Sequence, residues 1–182
     1  MKLKTIEYLK IRTAELSVGN STLRNQGAPG VIKTARTFLA KLDLQDFSVN
    51  SEYGFYKILD DATNNLVKVL PTRAQHWGTA RKAINIFLGD CVYNKFLCSQ
   101  FDLIQIHPWL EIPLDSYVAK ALCKTSIGSK LPKWVSITRL KPEISIEYQK
   151  VANQVAKIIG CYRVDLDIYL WREIGIKEIE GI

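Results

Sequence analysis

What the sequence lacks narrows its class first. It contains no run of 18 apolar residues, so no transmembrane helix is expected. Its first residues, Met1-Lys2-Leu3-Lys4-Thr5-Ile6-Glu7, have no apolar leader core, which predicts a cytoplasmic protein. Histidine is scarce, with only His76 and His107. The four cysteines, Cys91, Cys98, Cys123 and Cys161, form no C-x-x-C pair. That spacing argues against zinc and predicts no metal, with free thiols in a reducing compartment. No internal repeat, low-complexity tract or charged tail is visible. With only 10 Gly and 6 Pro and a hydrophobic content of 47%, the chain falls outside the disordered and fibrous classes.

What is present fits one domain spanning residues 1–182, long enough to bury a core without staples. Lys and Arg number 25 against 18 Asp and Glu, a formal charge of +7. Such an excess suits a polyanion such as DNA, RNA or a nucleotide. Apolar residues recur at helical spacing over 3–17, 31–42, 52–70, 79–97 and 145–159, so the fold class is all-α. Pro71 stops the third of these helices, and Gly160 is placed to close the last. Asp115 or Ser116 caps a short helix bearing Val118, Ala121 and Leu122. Residues 98–114 read as a connector, and 165–172 as one more short helix capped by Asp165, with an ion pair to Arg163 or Arg172. Ile137 and Val164 suit short extended pieces, and no stretch demands a large sheet.

Two segments carry the chemical signal. Leu70-Pro71-Thr72-Arg73-Ala74-Gln75-His76-Trp77-Gly78-Thr79-Ala80-Arg81-Lys82 stops one helix and starts another through a glycine turn. Pro113-Leu114-Asp115-Ser116-Tyr117-Val118 sets an acid at the start of the next helix. Together they resemble the helix-hairpin-helix DNA glycosylases of the 8-oxoguanine type. The likeness covers residues 70–122. Thr72 stands where that family has the first hairpin glycine, and Tyr117 where it usually has histidine. The resemblance implies a helical domain of two lobes around a cleft, base-excision chemistry and no cofactor. Small proteins of this fold also occur in bacterial anti-phage gene clusters, which implies defence-system proteins as further partners and no membrane.

On this reading Lys82 is the nucleophile and Asp115 the charge stabiliser. Base removal creates a sugar cation, which a nearby carboxylate stabilises. A lysine attacks only as the neutral amine, a form favoured by a neighbouring cation such as Arg81 and by a helix N-terminus. The backbone at Trp77, Gly78 and Thr79 would hold a phosphate, with Arg81 and Arg24 beside it. Asn25 and Gln26, on the Gly-bounded loop, would read base edges. A flipped base needs aromatic walls, for which Trp77, Trp109, Tyr117 and Trp134 are available. Lys95 is a rival nucleophile, 20 residues before Asp115. Two other functions remain open: a non-catalytic binder of a nucleobase, nucleotide or modified nucleic acid, and an interaction module for an acidic protein.

Overall fold

A computed structural model of the chain describes residues 3–23, 26 and 28–170. Among them every regular element is helical. The α-helices are α1 (Leu3–Ser17), α2 (Val31–Lys41), α3 (Glu52–Val69), α4 (Trp77–Tyr93), α5 (Lys95–Phe101), α6 (Ser116–Lys124), α7 (Pro142–Ile159) and α8 (Leu166–Leu170). No helix among the described residues is long and apolar enough to cross a membrane.

The helix boundaries follow from local chemistry. The Ser51 hydroxyl accepts the Gly54 N–H at 3.1 Å and starts α3. Leu70 turns extended ahead of Pro71 and ends it. Pro142 occupies the first turn of α7, where its missing N–H has no partner to lose. Gly160 closes α7 at φ 83°, in the left-handed region that glycine enters without strain.

The helix expected over 79–97 is two helices. The Asn94 side chain accepts the N–H groups of Phe96 and Leu97, both at 3.1 Å, and so restarts the chain as α5. The connector expected over 98–114 is also partly helical. It contains the end of α5, a left-handed Asp102 at φ 51° and a 3-10 stretch over Leu103–Trp109. Ile137 and Val164 were expected in extended pieces, but both lie in 3-10 turns, Ile137–Arg139 and Arg163–Asp165. Asp165 does not pair with Arg163. Its carboxylate takes His107 at 2.8 Å, the Tyr93 hydroxyl at 2.6 Å and the Tyr162 N–H at 3.0 Å. Arg172 lies outside the described residues.

Helix α4 is buried on several sides, polar Thr79, Arg81 and Asn85 included. It packs against α1, α2, α3 and α5 in one core, where Phe47, Phe55, Leu59, Leu66, Phe87 and Leu88 are buried. A second core forms from α6, α7 and α8 around Leu114, Val118, Leu122, Tyr148, Val155 and Leu166. Each such side chain contributes roughly 1.5–3 kcal/mol by leaving water. The stretch Leu110–Asp115 joins the two cores, and α4 touches both sides of the join through Arg81, Lys82 and Asn85.

Candidate functional site

The Lys82 Nζ lies 3.1 Å from the Asp115 Oδ2, across 33 residues of sequence. The two side chains are 11% and 25% exposed, so the pair is largely withdrawn from solvent. Each carboxylate oxygen of Asp115 has its own task. Oδ1 accepts the N–H groups of Tyr117 and Val118, both at 2.9 Å, and caps α6. Oδ2 takes the amine. The negative charge also sits at the positive end of the helix dipole.

A buried ion cluster positions this pair. Glu111 accepts the Arg81 guanidinium at two points, 2.8 and 3.0 Å, and the Asn85 amide at 2.9 Å. Arg81 also reaches Asp60 at 2.7 Å and the Thr63 hydroxyl at 3.1 Å. Burial alone would raise the Glu111 carboxyl. Arg81 overcomes that, helped by Arg163 and Asn85, and holds it below the usual carboxylate range. Burial would likewise lower Arg81, and Glu111 with Asp60 reverses the direction. One residue further on, Gln149 of α7 clamps the backbone of Ile112, accepting its N–H at 3.1 Å and donating to its carbonyl at 2.8 Å. The 111–115 stretch is thus fixed against α4 and α7 before Asp115 meets Lys82.

Beside Lys82 is an interstice lined by Gly78, Asn85, Leu114, Ile137 and Leu140, too tight for a water molecule. The Asn85 Oδ1 is the one buried side-chain polar atom with no partner among the described residues. A larger cleft of about 410 Å³ opens on the neighbouring face of α4. Its walls include Tyr56, Asp60, Trp77, Arg81, Ser145 and Gln149. Arg163 also lines it, donating to Tyr56 Oη at 2.7 Å and to the carbonyls of Trp109 and Leu110.

Compared with known proteins, the chain matches no family model, no curated protein and no solved structure. The site therefore rests on its own geometry.

That geometry redistributes the expected residues. Arg81 was expected to hold phosphate, but it is 5% exposed and engaged by two carboxylates. Thr79 is fully buried, and its hydroxyl donates to the Gln26 Oε1 at 2.5 Å. That bond ties the 18–30 loop to α4, so this Gln26 oxygen is not open to a base edge. Gly78 is not at the surface. It is buried under the 137–140 turn, where an added Cβ would lie 2.3 Å from the Ile137 carbonyl oxygen and 2.7 Å from Leu140 Cβ. Gly78→Ala is therefore expected to push that turn away and destabilise the fold by about 1–3 kcal/mol. A urea-unfolding midpoint equal to that of the unmodified chain would contradict the close approach.

Trp77 does line the cleft, with the Arg81 guanidinium 5.2 Å from its ring centre. The other three residues expected as pocket walls, Trp109, Tyr117 and Trp134, do not line the cleft. Trp109 packs on Phe55, Trp134 meets Tyr148 edge-on, and the Tyr117 hydroxyl donates to the Leu170 carbonyl at 2.7 Å. Arg24 and Asn25 lie outside the described residues. Lys95 is exposed at the start of α5. Sequence reasoning missed Glu111, Asn85, Gln149 and Arg163. Glu111 left one signal: it is the only charge between Leu110 and Leu114.

Proposed function

We propose that the chain is a glycosylase-like protein that binds nucleic acid and releases a modified purine by base flipping. The observation that carries this reading is the 3.1 Å contact between Lys82 and Asp115. In the proposed reaction the neutral Lys82 amine bonds to C1′ as the C1′–N bond breaks. The departing base keeps the electron pair and takes up a proton. Asp115 is the nearest acceptor for the ammonium proton that Lys82 must first give up; passing that proton to the departing base restores the carboxylate, whose charge stabilises the sugar cation as it forms. Opening of the sugar ring leaves a Schiff base, from which β-elimination cleaves the strand.

The everted base would enter the neighbouring cleft beside Trp77, whose walls include neither Lys82 nor Asp115. The cleft's charged lining is balanced, with Arg81, Lys150 and Arg163 against Glu52, Asp60 and Glu111. A balanced, partly aromatic cleft favours a neutral planar group over a phosphate. The two cores on either side of the Leu110–Asp115 join support a two-lobe glycosylase-like arrangement.

A second reading has its own support. The interstice beside Lys82 has no room for water, as expected of a protein that binds a nucleobase or nucleotide without cleaving it. Such a binder would suit an anti-phage system with partner proteins of its own.

The test is an oligonucleotide carrying 8-oxoguanine, incubated with the protein and borohydride. Base release with a trapped covalent adduct, both lost in Lys82→Ala, supports the lyase. Binding without release supports the second reading and overturns the first.

A further inference from the structure

The net charge of the chain is concentrated in one place. Residues 116–142 contain six cations, Lys120, Lys124, Lys130, Lys133, Arg139 and Lys141, and no acid. The other 19 Lys and Arg face all 18 Asp and Glu. All six cations are exposed. Among the described residues, Lys120, Lys130, Lys133, Arg139 and Lys141 have no carboxylate within ion-pair distance.

Both ends of the segment lie at the Lys82–Asp115 pair. It begins where Asp115 caps α6. At Gly128 an added Cβ would lie 1.9 Å from the Leu122 carbonyl oxygen, so the chain folds straight back on the last turn of α6. The Tyr148 hydroxyl donates to the Pro132 carbonyl at 2.7 Å and tacks the return stretch to α7. Ile137 and Leu140 then close over Gly78 and line the interstice at Lys82. The cations are therefore carried by a fixed loop that leaves from the acid and returns over the amine. Val135, 63% exposed, adds an apolar contact in its middle.

We infer that residues 116–142 form the surface that grips the sugar-phosphate backbone of a nucleic acid. This extends the nucleic-acid reading of the site and needs no catalysis. Phosphates are spaced regularly along a strand, and a series of unpaired cations on an ordered loop neutralises several at once, releasing counterions. It also replaces the hairpin at Trp77–Thr79, of which Gly78 and Thr79 are buried. A second acid-free stretch, 16–42, is a weaker candidate. It has four cations, Arg36 is held by the Val18 carbonyl, and none of its residues lines the interstice at Lys82.

The test measures binding of labelled single-stranded and duplex oligonucleotides across a salt series. The full-length chain is compared with a variant carrying Lys120→Gln, Lys130→Gln, Lys133→Gln and Arg139→Gln. A matched variant carries Lys4→Gln, Lys57→Gln, Lys68→Gln and Lys157→Gln. The slope of log K against log salt is expected to flatten by about 2–4 in the first variant, since each lost phosphate contact removes roughly 0.7–0.9. Affinity at low salt is expected to fall at least tenfold there and to stay within about threefold in the matched variant. Equal losses in both variants, or an unchanged slope in the first, overturn the assignment. So does a wild-type chain that binds phosphatidylserine vesicles and neither oligonucleotide. Circular dichroism of each variant confirms folding. A wild-type chain that binds through this surface and releases no base would sink the glycosylase reading and leave the surface standing.

Discussion

Glu111→Gln is expected to lower the stability of the fold by about 3–5 kcal/mol, the range for breaking a buried ion pair from one side. For a domain of this size that lowers Tm by on the order of 10 °C. The reason is the orphaned partner. Arg81 is 5% exposed and keeps only Asp60, whose side chain is 57% exposed, as a charged partner. Its desolvation is then uncompensated. The same residue sets a pH dependence. The folded Glu111 carboxyl titrates below its ordinary value of 4.5, so its stabilisation is complete above that pH. It is withdrawn as the pH falls from there through the lower folded value. Urea unfolding of both proteins at neutral pH and below about pH 4.5 reads both effects. The variant should lose stability at neutral pH and show a shallower acid dependence. An unchanged midpoint would mean that the cluster does not fix the 111–115 stretch.

The second large effect separates the amine from the acid. Lys82→Gln is expected to abolish borohydride trapping and to reduce base release to background, because no other amine faces Asp115 among the described residues. Asp115→Asn is a cleaner probe of charge. Asparagine caps a helix as well as aspartate does, so α6 keeps its start, and loss of the charge facing the largely buried Lys82 amine should cost about 1–3 kcal/mol. Base release should nonetheless fall on the order of 10²-fold or more, as when one stabiliser of transition-state charge is removed. Full activity in the folded Asp115→Asn variant would reduce that residue to a cap.

Much of the helical frame was legible because burial imposes a period. Phe55, Leu59, Ala62 and Leu66 repeat on one side of α3, and Tyr148, Ala152 and Val155 on one side of α7. Pro71 and Gly160 act through backbone geometry that any context shares. The break at Asn94 was hidden because the apolar stripe runs through it, while its amide stops α4 by capping α5. Asp102 was hidden for a similar reason, since aspartate tolerates the left-handed region without announcing it.

The site was legible in its pair and illegible in its support. Lys82 and Asp115 sit in short local patterns. Arg81 does not, because its role is set by Glu111, 30 residues away. A lone cation near a helix start reads the same whether it meets a phosphate or a buried carboxylate. Gly78 misled in the same way: its lack of a side chain admits the Ile137 carbonyl, where the sequence suggested an anion. The acid-free run from Ser116 to Pro142 needed no structure to be seen. Its significance did, since only the fold brings both ends back to Lys82 and Asp115.

The most direct measurement is the identity of the trapped residue. After borohydride reduction on 8-oxoguanine DNA and proteolysis, mass spectrometry is expected to find the sugar adduct on the peptide bearing Lys82. An adduct on Lys95 or another exposed lysine, or no adduct from a chain that still releases the base, would contradict the assignment of the Lys82–Asp115 pair.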